Sequence, residues 1–179
     1  MVYPELSELL YHGSDVAVSG IDISKSAPRK DFGCGFYTTN DIEQAKKFAR
    51  LKAKRAQAAA GFVSVFRFKS SEGLLIRRFA SSDATWFDFV LQNRGYSDLA
   101  TSAREKCFDI VIGPVADDAV GLVLNQFVAG TYGDPHAAES KATALRLLLA
   151  QRLHNQVFFG TEMAASCLHF LEVFDVDLD

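Results

Sequence analysis

Strand-like and helix-like patterns follow one another in this chain in an order that restricts its architecture. Strands stand at both ends and in the middle, and helices are gathered between them. Leu6 to Tyr11 reads as a first strand running into His12-Gly13-Ser14. Phe62 to Lys69 is rich in Phe and Val, Gly73 to Phe79 is edge-like, and Phe108 to Ile112 is a buried run closed by Gly113-Pro114. Val157 to Phe159 and Leu168 to Val176 are the last strands, with a short helix or turn over Thr161 to Cys167 between them. A helix starts near Asn40 or Asp41, both good N-cap types, and ends at Gly61. Its apolar face is Ile42, Ala45, Phe48, Ala49, Ala53, Ala56 and Ala60. Helical spacing returns over 82–106 and over 117–153, in the stretches Asp117 to Val128 and Pro135 to Leu153; Asp117-Asp118 reads as an N-cap pair. This order predicts an α+β fold rather than alternating βαβ units.

With 179 residues the chain is predicted to form a single domain over 1–179 with its own core. Fifteen Phe residues predict an aromatic core and a cleft suited to planar ligands. A formal net charge of −3 excludes a global attraction to nucleic acid and leaves only a local basic patch to supply one. Cys34, Cys107 and Cys167 form no CxxC pair, so neither a disulfide framework nor structural zinc is expected. His12, His136, His154 and His169 lack ligand spacing, and no metal site is expected. The start carries no basic leader, and no apolar run reaches about 18 residues. The expectation is a cytoplasmic protein with no membrane partner.

Three short segments lie at the edges of apolar runs: Leu10-Tyr11-His12-Gly13-Ser14, Gly33-Cys34-Gly35-Phe36-Tyr37-Thr38-Thr39, and Asn155-Gln156-Val157-Phe158-Phe159. Gly33-Cys34-Gly35 lacks the third glycine of a dinucleotide fingerprint, because position 38 is Thr, so it is weak as a Rossmann motif. Taken singly, His-Gly-Ser is an ordinary turn and Tyr37 and Phe48 are ordinary core residues. Their joint order is what carries information. It resembles the His–Tyr–(Glu/Asp/Gln) signature of ADP-ribosyltransferases of the poly-ADP-ribose-polymerase-like and diphtheria-toxin-like kind. The spacing from Tyr37 to Phe48 matches that between the two stacking aromatics of those enzymes. The chain also resembles a bacterial group known as DUF3990, which shares Leu-Tyr-His-Gly-Ser, Lys-Asp-Phe-Gly-x-Gly-Phe-Tyr-x-Thr, Asp-Ile-Val-Ile-Gly-Pro-Val-Ala and Asn-Gln-(Ile/Val)-x-Phe. Here these stand at His12, Lys30 to Thr38, Asp109 to Ala116 and Asn155 to Phe159.

The resemblance implies the ADP-ribosyltransferase fold: two facing, mostly antiparallel sheets, an NAD cleft between them and flanking helices. It implies transfer of one ADP-ribose from NAD to a protein or nucleic-acid acceptor. The catalytic set carried over is His12, Tyr37 and Gln156. The NAD-binding set is His12, Gly13, Ser14, Gly35, Phe36, Tyr37 and Phe48. In chemical terms, His12 donates to a ribose hydroxyl. Gly13 lets the backbone approach the carboxamide, having no Cβ. Tyr37 and Phe48 sandwich the nicotinamide. Gln156 orients a hydroxyl but cannot act as a general base.

Some departures bear on activity. Gln156 replaces the Glu of polymerising members, which points to single transfer or to the alternative, a catalytically weak or inactive NAD-binding or partner-binding module. Ala45 replaces the serine that holds the carboxamide. Glu162 is a candidate for the missing carboxylate. Bacterial members of the fold are often toxins with an antitoxin partner, which extends the implication to this chain. Two further candidates come from the residues themselves. Lys46 to Arg55 holds six basic residues in ten, read as a solvated helix face or as a surface for nucleic acid or an acidic partner. Cys34 with His12 is a candidate nucleophile pair lacking an orienting third group.

Overall fold

The computed structural model describes residues 6–70, 72–102, 107–114, 118–149 and 155–178. The described elements are β1 (Leu9–Ser14), β2 (Phe36–Thr38), α1 (Ile42–Ala56), β3 (Gly61–Phe68), β4 (Ile76–Arg78), α2 (Ala84–Arg94), β5 (Ile110–Pro114), α3 (Asp118–Val128), α4 (Ala138–Leu149), β6 (Asn155–Phe159), α5 (Glu162–Ser166) and β7 (Leu168–Val176), with a short 3-10 turn at Ile23–Lys25. One sheet has the order β1-β3-β7 and the other β2-β6-β5-β4. All pairings are antiparallel except β4 with β5. The fold is α+β, as expected from the order of patterns.

Period-two alternation explains how the sheets stack. In β5 and β6, Ile110, Ile112, Val157 and Phe159 point to one side and meet Leu10, Phe66 and Leu168 of the first sheet. Val111 and Phe158 point to the other side and join Trp86, Phe87, Val90, Leu124, Phe127 and Leu148 from α2, α3 and α4. On the far side of the first sheet, Ala45 and Ala49 of α1 pack on Val63 and Val176. The layers therefore run helix, sheet, sheet, helices.

The sequence reading needs correction at several ends. The first strand runs over Leu9–Ser14, so His12-Gly13-Ser14 is strand and not turn. Helix α1 is capped by the Asp41 carboxylate, which accepts from the Glu43 and Gln44 N–H groups. It ends four residues before Gly61, at Gln57 in the left-handed region (φ 53°), while Gly61 opens β3. Only Ala45, Ala49 and Ala53 are buried on its inner face; Phe48 is 46% exposed. Helix α2 stops at Gly95 (φ 95°), well short of the helical stretch expected over 82–106. It is buried from Trp86 to Gln92, which is why its pattern lacks a polar face. Its one buried carboxylate, Asp88, accepts from Lys141 of α4, from the Thr101 hydroxyl (2.8 Å) and from Ser102 N–H (3.0 Å). Burial alone would raise the Asp88 pKa, and these donors together hold it below the usual carboxylate value. Positions 103–106, Ala116, Asp117 and the expected helical stretch over 150–153 lie outside the described residues, as does His154.

Small residues place α1 against the first sheet. A Cβ built on Gly13 would stand 2.1 Å from the Ala45 carbonyl oxygen and 2.9 Å from the Ala49 nitrogen. One built on Gly61 would stand 2.7 Å from the Ala49 carbonyl carbon. The missing Cβ of Gly13 thus serves helix–strand contact, not the approach of a ligand. Because the obstacle is backbone, Gly13→Ala is expected to lower stability by about 3 kcal/mol, read as a lower urea midpoint at unchanged slope. A midpoint equal to that of the wild type counts against this packing.

Candidate functional site

The site forms where two edge strands meet. β1 is the edge of one sheet and β2 the edge of the other. They touch through one bridge, in which Tyr11 N–H donates to Thr39 O (2.8 Å) and Thr39 N–H to Tyr11 O (2.9 Å). Continuing that register would pair Gly13 with Tyr37. Instead the His12 imidazole stands between the strands, and its Nδ1 lies 2.7 Å from the Tyr37 carbonyl oxygen. The strands diverge there and open a cavity of about 840 Å³.

His12, Gly13, Ser14, Gly35, Phe36, Tyr37, Phe48 and Gln156 all line this cavity. Every expected site residue is therefore brought together, from strands β1, β2 and β6, the turn before β2 and helix α1. Glu162 is not among them; it lines a separate hollow with Phe66 and Leu168. The carboxylates on the cavity wall are instead Asp22 and Asp31. Asp31 accepts from Arg94 Nε (2.8 Å), and Asp22 lies 3.7 Å from Lys25. Cys34 is exposed, with its Sγ 3.9 Å from the Ala27 carbonyl, and does not line the cavity, so it has no part in a pair with His12.

The hydrogen bonds assign roles that the sequence could not. A carbonyl only accepts, so His12 Nδ1 carries the hydrogen. Burial, with further contributions from Lys30 and Lys52, lowers the His12 pKa to about 4, against the opposing bond to Tyr37. At neutral pH its Nε2 is then a bare lone pair. In this form Nε2 can accept a hydrogen bond but not donate one, the reverse of the donor role expected from sequence. Its ring lies 4.4 Å from that of Phe36.

Tyr37 is similarly committed. Its hydroxyl donates to Gly33 O (2.7 Å) and accepts from Phe32 N–H (3.1 Å), tying down the turn before β2. Burial raises the phenol pKa well above its ordinary value, more than the Phe32 bond lowers it. Only the ring is left for a ligand. One neighbour of that ring is Phe158, at 5.0 Å. Gly35 leaves room for the Phe158 ring: a Cβ there would stand 2.5 Å from that ring's Cε2.

Gln156 is 7% exposed, and its Nε2 has no hydrogen-bond partner among the described residues. An unpaired buried amide costs about 1–3 kcal/mol, so a donor left this way on a cavity wall calls for an acceptor from outside the chain.

Sequence reasoning missed the cations. Lys25, Arg29, Lys30, Lys52, Arg55 and Arg94 also line the cavity, in a chain of net negative charge. The signal was present in part: Phe48, Lys52 and Arg55 recur at steps of four and three, which puts them on one helix face. The basic run of α1 is thus divided. Lys52 and Arg55 face the cavity, Lys46 pairs with Glu43 (2.7 Å), and Arg50 Nε donates to Asp177 O (2.9 Å).

The family model described as Protein of unknown function (DUF3990) matches residues 9–170. The chain belongs to the DUF3990 family. No curated protein and no solved structure matches it. The DUF3990 match spans the whole cavity wall from Tyr11 to Gln156. It also spans Asp109, whose carboxylate accepts from Leu75 N–H (2.8 Å) and from the Thr161 hydroxyl (2.7 Å), so the Asp-Ile-Val-Ile-Gly-Pro segment serves the frame rather than the site.

The state of His12 has a pH signature. Between about 6.5 and about 4 the unfolded imidazole takes up a proton that the folded one refuses. His12 therefore weighs nothing above that window and increasingly disfavours the folded state as pH falls through it, by about 3 kcal/mol in all. His12→Asn should flatten this part of the pH–stability curve, and nitrogen-15 NMR of the wild type should show the Nδ1–H form at pH 7. An Nε2–H tautomer, or a midpoint near 6.5, contradicts the assignment.

Proposed function

We propose that the cleft binds NAD and transfers its ADP-ribose, once, to a macromolecular acceptor, releasing nicotinamide, on an ADP-ribosyltransferase fold. The observation that carries this reading is that Gln156, with a buried and unpaired Nε2 donor, lines the same cavity as a neutral His12 acceptor and two aromatic rings from different elements. A ribose flanked by a flat base and a pyrophosphate presents acceptors, hydroxyl donors, a ring to stack and negative charge, and this wall offers a counterpart for each.

In this reading His12 accepts from a ribose hydroxyl through Nε2. Gln156 donates to a second ribose oxygen and so fixes the sugar, while the electron-rich ring faces lie on the same cavity wall. Tyr37 and Phe48 hold the nicotinamide flat, and Gly13 and Ser14 present backbone groups to its carboxamide, as Ala45 has no polar group to offer. The bond from the ribose carbon to nicotinamide breaks with its electron pair on nicotinamide. The acceptor's nucleophile bonds to that carbon and gives up its proton. His12, with its low affinity for protons, and Gln156, with none, are poor bases for that step. This supports a reaction driven by leaving-group departure and an acceptor that loses its proton readily.

The same feature favours the second reading, a module that binds NAD and a partner without turnover: Gln156 is an amide, and Glu162 lies in another hollow. A toxin role with an antitoxin partner is a further extension of the transferase reading, marked by growth arrest on expression that Gln156→Ala relieves.

Calorimetry with NAD and timed release of nicotinamide in the presence of a cell extract decide between them. Saturable binding is expected, with turnover that falls about a hundredfold in Gln156→Ala and comparably in Tyr37→Ala. Binding without turnover over a broad acceptor panel supports the module. Neither binding nor cleavage in the wild type sinks both.

A further inference from the structure

The two rings assigned above to a nicotinamide sandwich are each already covered by a cation. The Lys30 ammonium sits 4.9 Å from the centroid of Tyr37, and the Lys52 ammonium 5.7 Å from that of Phe48. Both lysines line the cavity and both are partly buried. Among the described residues neither ammonium has a carboxylate within ion-pair distance; the nearby Asp31 is held by Arg94. Lys30 and Lys52 line the same cavity as His12; burial, then the charge of Lys52, depresses the Lys30 pKa against the opposing charge of Asp31, and both lysines lower that of His12. Like charges on one cavity wall, resting on ring faces and with the nearby carboxylate of Asp31 already engaged by Arg94, are poorly neutralised.

We infer that Lys30 and Lys52 form a diphosphate clamp that doubles as a cover for the aromatic pair. In the free protein each ammonium rests on a ring face. A diphosphate group draws both ammoniums onto its oxygens and so uncovers Tyr37 and Phe48 for a planar base. The ligand class is a nucleoside diphosphate or a dinucleotide carrying that group. Phosphate binding and base stacking are then coupled: a planar base alone must displace two cation–π contacts, whereas one tethered to a diphosphate has them removed for it. The clamp deepens the NAD reading of this cleft and rests on it for the identity of the stacked base.

The test uses the full chain, calorimetry and four probes: ADP, NAD, inorganic pyrophosphate and nicotinamide, each with the wild type, Lys30→Met, Lys52→Met and the double variant. Urea midpoints equal to that of the wild type establish that the variants are folded. ADP and pyrophosphate are expected to bind the wild type, to weaken with added salt, and to lose about tenfold in affinity with each lysine removed. Nicotinamide alone is expected to change in the opposite direction, binding about threefold tighter to Lys30→Met as its cover is removed. That opposition is the diagnostic, since a merely damaged cleft weakens every ligand together. ADP affinity that is absent, or indifferent to both substitutions, overturns the clamp. Nicotinamide that binds Lys30→Met no better than the wild type overturns the cover. ADP binding that follows the lysines while NAD gains nothing over ADP leaves the clamp standing and removes the NAD reading instead.

Discussion

A single side-chain bond keeps two sheets from zipping into one at the place where it matters. Beyond the Tyr11–Thr39 bridge, strands β1 and β2 are positioned to pair further, and unsatisfied edge carbonyls favour doing so. The His12 imidazole takes the Tyr37 carbonyl for itself and holds the two edges apart. Three properties follow from this one placement. A cavity opens on the far side of the ring. The ring is desolvated enough to stay neutral at physiological pH. The hydrogen on Nδ1 fixes the other nitrogen as an acceptor. A residue that acts as a wedge in the fold is thereby prepared as a binding group.

Such a wedge works only if the strands it separates are themselves firm. On one side β1 is fastened to α1 through Gly13, Ala45 and Ala49, at distances that admit no side-chain atom. On the other, the Tyr37 hydroxyl secures the turn from Phe32 to Gly35, and Arg94 ties Asp31 to the end of α2. Groups that look suited to chemistry are thus partly spent on architecture. The Tyr37 phenol is wholly occupied in this way, and what it offers a ligand is its ring.

The parts of this arrangement visible in the sequence are those governed by local rules. The apolar run closed by Gly113-Pro114 marked the buried β5; Asp41 marked the start of α1 through its capping carboxylate. Convergence of His12, Tyr37 and Gln156 was legible only as a pattern of motifs; in the structure all three line one cavity. Other features depend on contacts between remote residues and left no local trace. Nothing in Trp86 to Leu91 announces that Asp88 finds Lys141 more than fifty positions away. The end of α1 at Gln57 required a non-glycine residue in the left-handed region, against ordinary preference. The acceptor role of His12 could not be read at all, because it follows from which atom of the ring meets a backbone carbonyl. The cations were legible in part, yet a run of lysines and arginines on a helix reads as a solvated surface until one knows which wall the helix forms.

The glycine–alanine seam under β1 has an effect on how this cleft can vary. The wall built on β1 and α1 is in backbone-to-backbone contact, so it cannot shift to admit a bulkier guest without prising main chain from main chain. The opposite wall, from Asp15 to Arg29, is short of regular structure and largely solvated. Room for a larger guest is therefore more readily made on that side, and a loop grafted there would leave the seam of small residues undisturbed.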